Sequence, residues 1–564
     1  MVKMIDLEKK LFDQSWTFKN REKILQKMQS SQYDVAIIGA GITGAGIARE
    51  AAMRNLSVAI VDMQDFAAGT SSRSTKMAHG GIRYVGHGEM DLVKSASRER
   101  NWMRVQIPHL VRPIPFFIPF MEGGKYKKRD LQGAAKIYDF LSDDKSEFKN
   151  FKKNESYTAE EVYNLEPEFR KEGISGGIIY YDTNIDDARL TIEILKEANI
   201  RGADSINYCK VFGYIKNNGK IVGIKCKDLE KKSDFEIRAT LVINATGIWT
   251  DNLIMNYPDT IPKPLIRPTK GVHLLYKREN IGNNMANGLN SNIDDRFLFV
   301  IPRNKKYTLV GTTDTDYQGD LVSPFCDKED ADYLIKSIKF FYPNAKLDYE
   351  NIISTYAGIR PLVMQKGKSE SEVSRNHIIF FSSDGLLTIT GGKLTEWRAM
   401  AEDLFVKIEE EEVFPNIKRE PYFSRQKFLI GLNKEEWLKY LESSGLKLGN
   451  DISDHLYQQY GKGAIKILEL IKNDKSLMEK LIEENDFTKA EILYTLRYEL
   501  TPHLIDVFCR RTEMSLWIDH RRASEVAEKV ANLMQKEYSW DDDTKNNEIH
   551  QYLEYINKTV SFIH

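Results

Sequence analysis

Three glycines and one acid mark the first chemistry this sequence can do. Gly39, Gly41 and Gly44 stand in GAGITG, and Asp62 follows 18 residues beyond Gly44. That spacing suits a bound dinucleotide. One glycine makes the tight turn, one lets backbone approach a pyrophosphate, and one lets a helix pack on a strand. The helix that starts there offers free N–H groups and a positive dipole end to the phosphates. Asp62 sits where the acid that bonds a ribose hydroxyl belongs. The plain alternative is a glycine turn in an ordinary βαβ unit. The apolar runs 35–38 and 58–61 that flank the turn, with the acid at the end of the second, favour the dinucleotide.

Other polar stretches follow short apolar runs in the same way. FAAGTSSRSTKMAHGGIRYVGHG, directly after Asp62, is rich in Ser, Thr and Gly. It reads as a loop whose hydroxyls and N–H groups meet a cofactor. Thr70, Ser71, Ser72, Lys76, Met77 and His79 are the candidates. The run 241–243 leads into NATGIWTD, where Ala245 and Gly247 suit close backbone approach to a ligand. The run ending at 390 leads into GGKLTE, with Gly391, Gly392, Lys393, Leu394 and Thr395 at a second helix start beside the cofactor.

The elements that must position these residues form an α/β chain. A Rossmann-like dinucleotide-binding domain, an antiparallel-sheet substrate domain and a C-terminal all-helical domain are expected. Residues 1–30 read as an amphipathic lead-in, with Leu7, Leu11 and Phe12 at helical spacing and Trp16 beyond, and a helix packed on the body is favoured over a membrane anchor. Residues 31–419 read as a two-lobed body. Its cofactor lobe draws on about 31–105, 195–260 and 375–407, and its substrate lobe on about 106–194 and 261–374. PIPFFIPF at 113–120 carries three prolines, which exclude a central strand and leave an edge strand or a buried extended segment. A hairpin turns at Asn218-Gly219. GVHLLY, FLFVIP and YTLVGTT suggest the second sheet. Beyond 420 helices follow one another, with capping-box starts at Asn433/Glu436 and Thr488/Glu491.

The bulk properties exclude several classes. The 564 residues allow two to four domains, and charged residues are 29% with a net charge of −1, so no global field points to nucleic acid. The four cysteines, Cys209, Cys226, Cys326 and Cys509, are scattered, so neither a metal site nor a disulfide framework is expected. This suits a reducing cytosol. The N-terminus is charged throughout, without the apolar core of a signal peptide. No run approaches the roughly 20 apolar residues of a membrane span.

Five stretches resemble the FAD-dependent glycerol-3-phosphate dehydrogenases: GAGITGAGIARE, GTSSRSTKMAHGGIRYV, INATGIWTD, AGIRPL and TGGKLTEWRAMAE. EILYTLRYEL and DVFCRRTEM resemble the family's C-terminal domain. Asp62 stands where many members carry Glu. The resemblance implies FAD, oxidation of sn-glycerol 3-phosphate to dihydroxyacetone phosphate, and electrons passed to a membrane quinone. It also implies a cytoplasmic protein held peripherally on the inner face of the cell membrane, with a homodimer open. Trp16 and the basic segment 125–129 are candidate contacts. Related glycerophosphate oxidases use oxygen and make hydrogen peroxide. Many carry a longer mid-chain insertion that this chain lacks, which tilts the reading to a dehydrogenase. A flavin-bearing membrane scaffold without turnover is the third reading.

By match to the family's motifs, His273 in KGVHLLY faces the pocket and takes the hydroxyl proton. A histidine suits a base near neutral pH. Arg83 with Tyr84, Arg360 and Lys393 match its substrate-pocket positions. Arginine and lysine fit a phosphate-bearing substrate, and Arg360 can also meet a developing oxyanion. Lys393 serves substrate or flavin, and His79 lies beside the flavin. Only one dinucleotide fingerprint occurs, which argues for a second substrate other than a nicotinamide.

Overall fold

The structure is a computed structural model that describes residues 10–11, 13–143, 148–364, 376–415 and 427–563. Leu7, Phe12 and the expected boundary at 419/420 lie outside these residues. Gln32–Ile38 forms the central strand of the first sheet. It pairs in parallel with Val58–Val61 on one side and with Ser233–Asn244 on the other. Leu387–Gly391 extends the sheet in parallel beyond Ser233–Asn244, and His377–Phe381 closes that edge antiparallel. The strand order therefore reverses beside Gln32–Ile38, and ligands bind at the carboxyl ends of strands at such a switch point.

The helix Ile42–Met53 joins the first two strands and is buried almost throughout. Its Ala- and Gly-rich sequence explains how. Helices Asp187–Ile200 and Trp397–Glu410 pack against it. A Cβ at Gly46 would lie 2.8 Å from Trp397 Cε3, so only glycine admits that ring.

Among the described residues the second sheet has ten strands. Ile266–Lys277 pairs antiparallel with Tyr307–Gly311 and, along nearly its whole length, with Ile352–Val363. Arg112–Met121, which contains PIPFFIPF, has neighbours on both sides, contrary to expectation. It pairs antiparallel with Ile174–Asn184 along its length and in parallel with Ala286–Asn290 at Phe116 and Phe117. Pro113, Pro115 and Pro119 are all odd-numbered, and backbone N–H groups alternate between the two sides of a strand. The missing donors thus fall on one side, which leaves the donors of the other side intact.

Trp16 is buried, with its ring 5.5 Å from that of Phe66. It is part of the core and offers no membrane contact. Behind it, helix Arg21–Ser30 buries Leu25 and Met28.

The C-terminal region is helical, and both expected capping boxes form, at Asn433 and Thr488. Its helices share one hydrophobic core with the second sheet, as where Tyr307 packs on Trp517. Buried ion pairs reach further. Asp65, in the loop after Val58–Val61, accepts from Arg511 at 2.7 and 2.9 Å and from Arg510 at 2.8 Å. Removing one partner of such a buried pair costs about 3–5 kcal/mol.

Candidate functional site

A cavity of about 510 Å³ opens at the carboxyl ends of the parallel strands. Gly39, Gly41, Asp62, Thr70, Ser71, Ala245 and Gly247 line it, together with Gly391, Gly392, Lys393 and Leu394. Gly39 has φ +99°, and a Cβ there would lie 2.7 Å from Ala245 O. A Cβ at Gly44 would lie 1.8 Å from Gly39 O, so this glycine lets the helix close on the turn without itself reaching the cavity. The helix opens at Ile42, whose N–H donates to Ser71 Oγ at 2.9 Å.

Asp62 is fixed on the wall by two backbone donors. Its Oδ2 accepts from Ala40 N–H at 2.7 Å and its Oδ1 from Gln64 N–H at 3.0 Å. Burial pushes its carboxyl up to about 6, against the pull of those N–H groups. A ribose hydroxyl donating to it would favour the charged form.

A second cavity, of about 730 Å³, joins the first through Thr70, Ser74, Pro361 and Gly392–Leu394, which line both. Met77, His79, Arg83, Tyr84, His273, Arg360 and Thr395 line its walls. The structure therefore gathers the candidates from four separate stretches. Arg83 donates to Tyr84 Oη at 3.0 Å, and its guanidinium carbon lies 4.9 Å from the centre of that ring. Lys393 Nζ lies 3.9 Å from the same ring centre. The ammonium is buried and has no hydrogen-bond partner. Burial lowers its pKa, and Tyr84 partly offsets this. Such a group calls for an anion or a strong acceptor. A glycine-lined cleft, a fixed acid at the second strand and this orphaned ammonium together fit a flavin dinucleotide.

His273 is buried on Ile266–Lys277. Its Nε2 lies 3.1 Å from Thr75 Oγ1, its Nδ1 has no partner, and Tyr356 stacks on it at 4.7 Å and 11°. Burial, then the charges of Arg360 and Lys76, hold its pKa well below the usual histidine value. These surroundings favour the neutral imidazole, whose unpartnered Nδ1 is the nitrogen left for a proton. His79 is likewise held neutral, pushed down to about 3 by burial, Lys393, Arg83 and Arg100. Arg360 donates to Asp314 Oδ1 at 2.9 Å, Thr312 Oγ1 at 3.0 Å and Thr313 O at 3.1 Å. Its fork is thereby aimed along the wall.

Two other expected cofactor residues, Ser72 and Lys76, stand away from both cavities. Lys76 turns its ammonium to Asp187 and Glu513, and the Ser72 carbonyl accepts from it at 3.1 Å. Lys76 is thus a buried ion-pair residue beneath the site. Thr75, Trp249, Thr312 and Asp314 belong to the walls and were not singled out from sequence. Trp249 lies inside a quoted motif. Asp314 has no local signal, because its partner Arg360 is 46 residues away.

Residues 34–397 match the family model described as FAD dependent oxidoreductase, and 423–545 match the C-terminal domain of alpha-glycerophosphate oxidase. The aerobic glycerol-3-phosphate dehydrogenase of Bacillus subtilis (strain 168) is 35% identical over 96% of this chain and 97% of its own. That of Staphylococcus haemolyticus is 37% identical over 87% and 89%. The glycerol-3-phosphate dehydrogenase of Bacillus halodurans complexed with FAD superposes with a TM-score of 0.78 at 29% identity, over 97% of this chain and 99% of its own. The FAD-bound L-alpha-glycerophosphate oxidase of Mycoplasma pneumoniae, at 16% identity and TM-score 0.54, covers 70% of this chain and 98% of its own, and shows the shared fold. The fold, the FAD-fitting cleft and these likenesses make this chain a member of the FAD-dependent glycerol-3-phosphate dehydrogenase family.

Proposed function

We propose that this protein oxidises sn-glycerol 3-phosphate to dihydroxyacetone phosphate and passes the electrons to a membrane quinone. One observation carries the reading. Arg83, Arg360, Lys393 and a neutral His273 converge on a cavity joined to the glycine-lined cleft. Gly39, Gly41, Asp62, Ser71, Ala245, Gly247 and Gly391–Leu394 would hold FAD, which when bound supplies the hydride acceptor. The chain's own residues do the rest. Arg83 and Lys393 bind the phosphate, and Arg360 meets the substrate oxygen as it loses its proton. With His273 Nε2–H donating to Thr75, Nδ1 keeps a lone pair for that proton. The alcohol thus loses one proton and one hydride and becomes a ketone.

Peripheral contact with the inner face of the membrane is supported by one surface. Helix Lys128–Ser142 leaves Ile137 and Phe140 exposed, Phe140 at 81%. Tyr126 and Phe151 are exposed nearby in sequence, and Lys125, Lys127, Lys128, Arg129 and Lys136 are exposed as well. An apolar ridge among cations suits anionic lipid. Lys125, Tyr126, Leu131 and Ala134 also line the second cavity, so this face adjoins the site. Among the described residues no helix is long and apolar enough to cross a membrane. The division at 419/420 is supported by the two family matches, which end and begin at 397 and 423.

The test is anaerobic mixing of the yellow protein with sn-glycerol 3-phosphate, followed by a soluble quinone or by oxygen. Bleaching and fast recovery with quinone are expected. Absence of bleaching overturns the substrate. Stoichiometric peroxide with faster recovery in oxygen overturns the acceptor in favour of an oxidase.

A further inference from the structure

We propose that Lys76 and Glu513 are positioning residues for His273: the C-terminal domain, through Glu513, grips Lys76 and so holds the loop segment that sets the imidazole. This rests on the reading of His273 as the proton acceptor.

Asp186, Asp187 and Glu513 are buried and bring carboxylate oxygens within 4.8 Å of one another. The cation against this cluster is the chain's own. Lys76 Nζ donates to Asp187 Oδ1 at 2.6 Å and to Glu513 Oε1. Burial opposes its charge, but Asp187 and Glu513 outweigh burial and keep it protonated, while burial and Asp186 push the Glu513 carboxyl up against the pull of Lys76. Both ends of the grip hold unusual backbone. Lys76 has φ +56° and Glu513 φ +54°, in the left-handed region that residues with a Cβ avoid. Such conformations persist where the surroundings impose them, and they concentrate at functional sites.

The gripped segment carries the contacts that orient the imidazole. Ser74 donates to Asp187 through its N–H at 2.9 Å and its hydroxyl at 2.6 Å. Thr75 places Oγ1 on His273 Nε2 at 3.1 Å. Tyr356, stacked on His273, donates to Ser74 O at 2.8 Å, and Lys76 Nζ lies 5.3 Å from the Tyr356 ring centre. The groups facing His273 are therefore Arg360 and Tyr356 on Ile352–Val363, with Thr75 and Lys76 on the loop. Asp314 backs Arg360, and Asp187 and Glu513 back Lys76.

The sign of the charge effect separates positioning from mere support. Lys76 depresses the basicity of His273, after burial and Arg360. Its removal should raise that basicity. A unit charge about 10 Å away moves a buried titration by roughly half a pH unit to one unit. In FAD-loaded Lys76→Met, the acid limb of kcat/KM should move up by that amount, and Lys76→Arg should return it. Two further variants leave Lys76 in place. Thr75→Val and Glu513→Ala should each slow anaerobic flavin reduction at saturating substrate about tenfold, the scale of one lost hydrogen bond, with FAD content unchanged. An unmoved limb in Lys76→Met overturns the proposal. So do wild-type reduction rates in Thr75→Val and Glu513→Ala, which also decide the matter if Lys76→Met does not fold. Full activity in His273→Ala would instead overturn the underlying reading, so the two failures are distinguishable.

Discussion

Arg360→Met offers the sharpest test of how the pocket handles charge. The guanidinium is held by Asp314 at 2.9 Å and by Thr312 and Thr313 at 3.0 and 3.1 Å. It therefore does two things at once: it presents donors to the substrate and neutralises a carboxylate on the wall. Losing a charge-assisted hydrogen bond costs about 1.5–3 kcal/mol. That is roughly tenfold to 150-fold in kcat/KM. Asp314 then faces a developing oxyanion of like charge, so the loss should reach the upper end of this range. Arg360→Met/Asp314→Asn removes the repulsion with the cation and should recover about tenfold. The variant also bears on His273, whose basicity is held down by burial and next by Arg360. Without that cation the imidazole pKa rises, so the acid limb of kcat/KM moves to higher pH, towards the ordinary histidine value of about 6.5. The substrate's own phosphate titrates near 6, but identically for both proteins, so the comparison reads the enzyme alone. Steady-state kinetics of the single and double variants across pH are sufficient. If the double variant is no better than the single one and the limb stays put, the charge assignment is wrong.

His273→Ala should lower kcat by about 10²–10⁴, the contribution of a general base, with FAD content unchanged. An undiminished kcat would make His273 a structural strand histidine. Gly44→Ala should abolish FAD retention, because its Cβ would lie 1.8 Å from Gly39 O and backbone cannot yield there. The visible-to-ultraviolet absorbance ratio after gel filtration reads this directly. FAD affinity should fall as pH drops through about 6, where Asp62 takes up a proton and can no longer accept from ribose as a carboxylate. Asp62→Asn should bind FAD weakly with that pH dependence gone, and an unchanged dependence would remove Asp62 from the cofactor site. Phe140→Glu should lower co-sedimentation with anionic vesicles while leaving flavin reduction intact, and full retention on vesicles would move the membrane contact elsewhere.

What was legible in the sequence was local. The glycine turn, its flanking strands and Asp62 are read within one βαβ unit, because their spacing is their mechanism. The capping boxes at Asn433 and Thr488 are four-residue signals, and both formed. PIPFFIPF misled because a count of prolines omits their parity, and parity decides which side of a strand loses its donors. Trp16 leaves two readings open, and the favoured one, packing on the body, is what the structure shows. An aromatic near a chain end suits core and interface equally, and only Phe66, 50 residues on, decides between them. Lys76 shows the deeper limit. Inside a hydroxyl-rich cofactor loop, a lysine reads as a cofactor contact. Its actual partners are Asp187 and Glu513, 111 and 437 residues away, and neither spacing has a sequence signature. The same holds for Asp65 with Arg510 and Arg511. The cofactor loop is thus braced at two points by C-terminal residues that follow it by 437 to 446 positions. Its conformation is a property of the assembled chain, since a buried charge on either side is stable only when its partner is in place. An isolated 34–397 fragment would leave Asp65 without its two arginines and Lys76 without Glu513. The C-terminal helices therefore belong to the site's architecture, even though none of the residues from 427 onward lines the two cavities described above.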